Sequence, residues 1–454
     1  MFRTSLRSTA PRRLWLSLAL LSLGLTLQAA PAIAAGRWSG SLDFGQGKQS
    51  ITLRVLAQGG LLDLPEQRLF GYPLSTLKVD GARISFTLFE GQGPGGDQGN
   101  APMLFSGEAT TGSDGVERIE GTVSSAGTVD GRFDLEPAAL PPGPGESPYS
   151  LDTGRGLLPG TLLVPEGRGP FPLVILLAGA GTTDRDGNNY AVPGTNDAIK
   201  YLARALGERG VASLRYDKRG SGEAYALVPD ESGLRFDDYV LDASAAVDAM
   251  RRDSRFSRIL LAGHTEGALV ASGALRLGNE KRVDGLVLLC ASGRSAVDLV
   301  QSAVDEAPPE LKAEGAAIMA AIKAGKSYPA PSAYFADFFR PSFQPYLASW
   351  FRHDLAADLA AITTPVLMIQ GNHDAQTTLA EFDILVRARP DAAAYVLPGM
   401  NHALKEVGPD MDENYRAFTD PTIPLATDLA DLVAAFAAGE ALPYPEYRYT
   451  PTAR

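Results

Sequence analysis

The chain has 454 residues, of which 45% are hydrophobic and 21% charged, and it carries a formal net charge of −12. That length calls for two to three domains and the composition is ordinary for a globular protein. The acidity repels phosphate backbones and anionic headgroups, which argues against nucleic acid or a membrane surface as a partner, and the single cysteine, Cys290, rules out an internal disulfide.

The first 35 residues combine Arg3, Arg7, Arg12 and Arg13 with a 14-residue apolar stretch, Leu14 to Leu27, and the small-residue end Ala32-Ile33-Ala34. This is the pattern of a cleaved signal peptide, since the stretch is short for an anchor that must span a bilayer. The pair Arg12-Arg13 has something of a twin-arginine signal, but the general secretory route fits better. Removal of residues 1–35 takes away four arginines and no acid, so the charge goes from −12 to −16. An exported protein is expected, periplasmic or secreted, with no membrane segment left.

Residues 36–136 alternate with period two in SITLRVLA (Ile51, Leu53, Val55), ARISFTLF (Ile84, Phe86, Leu88) and GRFDLE (Phe133, Leu135). Frequent turn residues and no helical period predict a small antiparallel β domain, with GQGPGGDQGN (91–100) at a hairpin tip. The stretch 137–149, PAALPPGPGESPY, reads as a proline-rich linker.

From residue 150 to 454 the pattern changes to strand-helix alternation. FPLVILLA is a continuous apolar run, as a strand covered on both faces requires. TNDAIKYLARALGERG follows, with Ile199, Leu202, Ala203 and Leu206 on one helical face and a stop at Gly210. After the strand VASLRYD, apolar residues Phe236, Val240, Ala243, Val247 and Met250 recur at helical spacing. RILLAG, GLVLLCA, PVLMIQG and AAYVLPG are further buried strands, with Cys290 a buried thiol at a strand end. A last helix is expected from Leu425 to Phe436. The fold class predicted is α/β, a doubly wound sheet whose active site lies at the carboxyl ends of its strands. Roughly 70 residues between GLVLLCASG and PVLMIQG break the alternation; an insertion near 295–360 of that length is usually a helical lid.

Three strand ends carry chemistry. RILLAG delivers GHTEG with Thr265, PVLMIQG delivers NHD with Asp374, and AAYVLPG delivers NHA with His402. A nucleophile, an acid and a histidine in that order form the triad sequence of hydrolases with a nucleophile elbow. An alcohol is scarcely ionised near neutrality, so an imidazole must take its proton and a carboxylate must fix the imidazole's tautomer. GAGTTDRDGNN, with Gly179 and Gly181, is expected to supply one oxyanion donor around Gly181 or Thr182, and the amide of Glu266 the other. Asp184, Arg185 and Asp186 are expected to brace that loop through ion pairs.

Other motifs fall short. GAG lacks the third glycine of a dinucleotide loop, and DRDGNN lacks the glutamate of a calcium loop. His264, His353, His373 and His402 form no zinc-binding pair, so neither metal nor cofactor is expected. His373 is the rival base, but as the neighbour of Asp374 it points away from it.

PFPLVILLAGAGTTDRDGNN, LRYDKRGSGEA, LLAGHTEGALVA, RPSFQPYLASWFRHD, PVLMIQGNHDAQT and LPGMNHALKE together resemble the signatures of bacterial α/β-hydrolase-fold esterases, including a serine aminopeptidase-like group, over about residues 155–437. The leading β domain is similar, less specifically, to one that some members carry. The resemblance implies hydrolysis of a small-molecule ester through an acyl-enzyme without a cofactor. It carries Asp374 and His402 across. It does not carry the nucleophile, because the family pattern has serine where this chain has Thr265. Two readings therefore stand: a slow or specialised carboxylesterase using Thr265, Asp374 and His402, and a catalytically silent hydrolase fold that binds an acyl or peptide-like ligand. Peptidase activity is a third, since the triad alone does not separate amide from ester.

Overall fold

A computed structural model describes residues 32–451, save 46, 57–58, 68, 89–101, 113, 126, 139–141, 190–191 and 193. The expected hairpin tip at 91–100 and nearly all of the expected leader lie outside the described residues. Ile33, at the leader's end, is buried in the core of the β domain, and its amide donates to Gly81 O at 3.1 Å.

The first domain is one nine-stranded antiparallel sheet: β1 (Gly36–Asp43), β2 (Lys48–Val55), β3 (Gly60–Leu64), β4 (Leu69–Pro73), β5 (Thr76–Asp80), β6 (Arg83–Leu88), β7 (Met103–Thr111), β8 (Glu117–Ser125) and β9 (Thr128–Pro137). The order β4-β3-β2-β1-β9-β8-β7-β6-β5 makes a half-barrel, closed in sequence by the β1–β9 pairing. The alternating residues read from the sequence, Ile51, Leu53, Val55, Ile84, Phe86, Leu88, Phe133 and Leu135, all point into its core. Phe86 stacks on Phe105 at 4.5 Å between ring centres, and Phe133 tilts against both.

The second domain is an α/β-hydrolase sheet of eight strands: β10 (Glu146–Asp152), β11 (Leu157–Leu163), β12 (Phe171–Leu177), β13 (Ala212–Tyr216), β14 (Phe256–His264), β15 (Gly285–Leu289), β16 (Val366–Gly371) and β17 (Ala393–Leu397). The order is β10-β11-β13-β12-β14-β15-β16-β17, with β12 to β17 parallel and the first two strands antiparallel at one edge. Helices α1 (Ala198–Glu208), α2 (Phe236–Arg251), α3 (Glu266–Ala274), α8 (Leu379–Ala388) and α10 (Leu429–Ala438) cover its faces. The last of these begins four residues later than the sequence suggested. A short α9 (Met411–Arg416) precedes it.

The expected linker is shorter than 137–149. Pro137 ends β9, and Glu146 to Asp152 form β10, paired antiparallel with β11. Pro148 is tolerated because β10 is an edge strand, where a missing N–H costs no ladder bond. Buried Glu146 anchors the strand through Arg204 and Arg215, each at 3.0 Å.

The insertion between β15 and β16 is helical: α4 (Ala296–Asp305), α5 (Lys312–Lys323), α6 (Gln344–Trp350) and α7 (Leu355–Ala361). Phe335, Phe339, Tyr346 and Leu347 join the sheet's main core, whereas Tyr334 and Phe338 are exposed. Ser349 of α6 accepts the Phe236 amide at 2.7 Å, which fixes the insertion to the start of α2. Among the described residues no helix is long and apolar enough to cross a membrane.

Candidate active site

The chain runs from β12 to β13 on one side and returns to β14 on the other, so the sheet's switch point lies between the carboxyl ends of β12 and β14. The end of β12 carries Gly179, and the end of β14 carries Thr265. Thr265 has φ 51 and ψ −115, a region that β-branched residues avoid, and it is followed at once by α3. Its amide donates to Leu289 O at 2.9 Å, and its carbonyl accepts from Ala268 N at 3.0 Å.

The glycines of GHTEG are there for space. A Cβ on Gly263 would lie 2.2 Å from Gly267, and one on Gly267 would lie 2.4 Å from Leu177 O. Strand, turn and helix therefore pack with backbone against backbone, which allows so sharp an elbow. Gly179 comes equally close: a Cβ there would sit 2.6 Å from Thr265 Oγ1 and 3.3 Å from His264 Nδ1.

The acid and base meet. His402 Nδ1 lies 2.9 and 3.1 Å from the two Asp374 oxygens. Asp374 Oδ1 also accepts the amides of Gln376 and Thr377, each at 2.8 Å, and Oδ2 accepts Gln370 Nε2 at 2.9 Å. Burial works against the carboxylate's charge, but the His402 hydrogen bond and charge and these amides outweigh it and hold the carboxyl below its usual range. With Nδ1 occupied, Nε2 is the nitrogen left for chemistry. Thr265 Oγ1 makes no hydrogen bond to it among the described residues.

The loop bearing His402 is clamped. Asn401 Oδ1 accepts the amides of Ala403 and Lys405 at 3.0 and 3.1 Å. From the elbow side, His264 Nε2 donates to His402 O at 2.7 Å. Burial, then the nearby His402 ring, push the His264 pKa down to about 4, so it works as a neutral donor. Its tie to residue 402 spans 138 positions, and no local motif announces it. His373, the rival base, is turned to Val407 O at 2.9 Å, and His353 pairs with Asp237 at 2.7 Å.

The loop expected to supply one oxyanion donor passes the elbow at Gly179. Gly181 and Thr182 are exposed, and Gly181, at φ 70, faces the Asn189 side chain rather than the hydroxyl. Gly179 is the residue against Thr265. The reason is the short bridge between Thr183 and Asn189, which turns the loop outward, with the Thr183 hydroxyl and the Asn189 amide both on Ala180 O. The acidic stretch braces the loop, through ion pairs at two of the three expected residues, Arg185 with Glu223 at 2.8 Å and Asp186 with Arg215 at 2.8 Å, and through backbone amides at Asp184, which accepts those of Asp186 and Asn188 at 2.9 Å. Glu266 lies at the elbow, where the first amides of α3 have no partner within the helix.

Cys290, buried at φ 50, has its sulfur within 4.8 Å of Asp374 and His402 donor atoms. These residue types can hold a metal. Here the imidazole and carboxylate are spent on each other, and burial pushes the thiol well above its usual range, so the trio makes a poor ligand set.

A family profile described as "Serine aminopeptidase, S33" matches residues 193–338, about a third of the chain. Esterase EstD of Thermotoga maritima is 26% identical over 265 residues, covering 54% of this chain; the chain spans 58% of that relative's length. Among solved structures, Est1E of Butyrivibrio proteoclasticus with ferulic acid bound is 18% identical at a TM-score of 0.41, covering 56% of this chain and 91% of that one. A 2,6-dihydroxy-pseudo-oxynicotine hydrolase is 17% identical at 0.41, covering 68% and 72%.

Proposed function

We propose that this chain hydrolyses small carboxylic esters through an acyl-enzyme on Thr265, at a low rate, with His402 as base and Asp374 as its orienting acid. The observation that carries the reading is the strained Thr265, held at φ 51 at the end of the sheet where the Asp374–His402 pair leaves Nε2 free. In the first step His402 Nε2 takes the hydroxyl proton as Oγ1 attacks the ester carbonyl, and the proton then goes to the departing alcohol. Water, activated by the same nitrogen, cleaves the acyl-threonine and frees the acid. No step calls for a cofactor. The Glu266 amide and an amide of the Gly179 loop receive the oxyanion. The similarity to an esterase over half the chain supports the substrate class.

A second reading, a silent fold that binds an acyl or peptide-like ligand, draws on the missing bond between Thr265 and His402. Fluorophosphonate treatment separates the two. The hydrolytic reading expects an adduct on Thr265, found by peptide mass spectrometry and lost in His402→Ala, together with turnover of short or medium p-nitrophenyl esters. A folded protein with neither adduct nor turnover is the binder, and a panel of aminoacyl anilides tells peptidase from esterase.

We also propose export by a cleaved leader. The burial of Ile33 favours a mature end ahead of that residue rather than after Ala35, and N-terminal sequencing of the secreted or periplasmic protein checks it.

A further inference from the structure

Lys218 is the charged residue beside the elbow that the hydrolytic reading leaves without a task. It follows β13 in the stretch RYDKRG, and its side chain is buried. A buried ammonium is expensive unless it is paired, so its partners say what it serves. Nζ donates to the carbonyl oxygen of Gly179. It also lies 3.4 Å from Glu266 Oε1 and 5.1 Å from the centre of the Tyr239 ring. The other Glu266 oxygen accepts the Tyr346 hydroxyl of α6 at 3.1 Å. Burial lowers the ammonium's pKa, and the Glu266 charge opposes that.

The Gly179 carbonyl and the Ala180 N–H belong to one trans peptide unit, so they point in opposite directions. An ammonium on the oxygen fixes that plane and draws electron density toward the oxygen, which strengthens the N–H as a donor. The Ala180 carbonyl is held separately, by Thr183 Oγ1 at 2.6 Å and Asn189 Nδ2 at 3.4 Å, so the next plane is fixed too. The Ala180 N–H itself has no acceptor among the described residues, and it adjoins the glycine that abuts Thr265 Oγ1. The residue on the far side of the same ammonium is Glu266, whose amide is the other donor.

We propose that Lys218 is the positioning residue of the oxyanion hole: one ammonium ties the Gly179-Ala180 peptide to Glu266 and so sets the spacing of the two amides that receive the anion. Lys218 keeps its protons throughout and touches no substrate. Through Glu266 and Tyr346 the tie reaches α6, so the helical insertion and the anion site are set together. The inference rests on the esterase reading for the anion it names.

The test uses the full-length mature protein, in the parent and in Thr265→Ser. Lys218→Met lowers kcat for p-nitrophenyl butyrate about 100-fold, the size seen when one oxyanion donor is lost, while KM moves less than about threefold. Affinity for an alkyl boronic acid falls in step with kcat, and Lys218→Arg restores part of both. If Lys218→Met does not fold, Glu266→Gln keeps the amide, weakens the ammonium's tether and lowers kcat about tenfold at constant KM. Unchanged kcat and boronate affinity in the folded variant, or a loss confined to KM, overturns the proposal. If even Thr265→Ser is inert toward esters, the esterase reading falls and a second readout decides. Labelling with carbonyl-13C glycine and 15N alanine selects the five Gly-Ala amides of the chain; the resonance missing in Ala180→Ser is that of Gly179-Ala180, and it shifts in Lys218→Met or Lys218→Arg if the ammonium polarises it, and stays put if it does not.

Discussion

Replacing Thr265 by serine removes one methyl from the tightest point of the elbow. At φ 51 and ψ −115 a side chain carries strain of about 1–3 kcal/mol, and a β-branched one has fewer rotamers with which to relieve it. The Gly179 backbone is so near that a Cβ would come within 2.6 Å of Oγ1, so Oγ1 and Cγ2 compete for little room. Serine recovers part of the strain and gives up the burial of one methyl, about 0.8 kcal/mol. The two oppose each other, and stability should change by less than about 1 kcal/mol. The rate should change more. In the present geometry the hydroxyl makes no bond to His402, and a misplacement of about 1 Å costs on the order of a hundredfold, or about 2.7 kcal/mol of barrier. Thr265→Ser is therefore expected to raise kcat/KM for p-nitrophenyl butyrate by about a hundredfold, with a urea midpoint close to the parent's. A folded serine variant that turns over no faster than Thr265→Ala refutes the reasoning, because the hydroxyl at 265 would then have no access to the base.

Gly179→Ala puts a methyl 2.6 Å from Oγ1 and 3.3 Å from His264 Nδ1; we expect about 1–3 kcal/mol of destabilisation from overpacking and a loss of most ester turnover, read by urea unfolding and initial rates, and full activity in this variant would show that the loop does not close on the elbow. His264 has a folded pKa of about 4, depressed from 6.5. The unfolded chain therefore takes the proton first as pH falls, so the histidine's contribution is whole above about pH 6.5 and is lost progressively toward pH 4, by at most about 3 kcal/mol. The stability difference between parent and His264→Gln should shrink across that window and stay flat from pH 7 to 8; a difference independent of pH contradicts a buried neutral ring. Phe105→Ala opens a hole between Phe86 and Phe133 and should cost about 3–5 kcal/mol. The β domain has a core of its own that includes Trp38, so in a Trp350→Phe background, where Trp38 is the tryptophan left in the mature chain, the fluorescence transition should move to lower urea while ester turnover persists beyond it; simultaneous loss of both signals would mean that the two cores unfold as one.

Most of the parallel strands were legible because they are apolar runs, β13 with Ser213 and Arg215 being the exception, and Thr265, Asp374 and His402 stood out because each lies just beyond one of these strands. What the sequence hid was set by contacts distant along the chain. β10 looked like linker because Pro148 and the glycines before it break every periodicity, and only pairing with β11 makes it a strand. GAGTTD offers two flexible glycines, and that Gly179 rather than Gly181 lies against the Thr265 hydroxyl goes with the bridge from Thr183 to Asn189, which the sequence does not show. His264 and Lys218 gave no signal at all. A lone histidine and a lone lysine have no spacing to read, and each acquires its role from a carbonyl far away in the chain, His402 O in one case and Gly179 O in the other.

The Asp374–His402 pair serves a working site and a silent one alike. A buried carboxylate with its oxygens filled by an imidazole, two amides and a glutamine stabilises its loop whether or not a substrate ever arrives. The elbow is different, because its strain yields no such return. Glycine would occupy φ 51 without penalty, and the turn's own bonds, from the Thr265 amide to Leu289 O and from Ala268 N to the Thr265 carbonyl, need only backbone. A side chain held there at about 1–3 kcal/mol is a cost the fold does not require. What the side chain adds is a hydroxyl at the switch point of the sheet, pressed against the loop that the buried ammonium holds in place. That strain, more than the acid–base pair, favours a reaction at Thr265 over a vacant imitation of one.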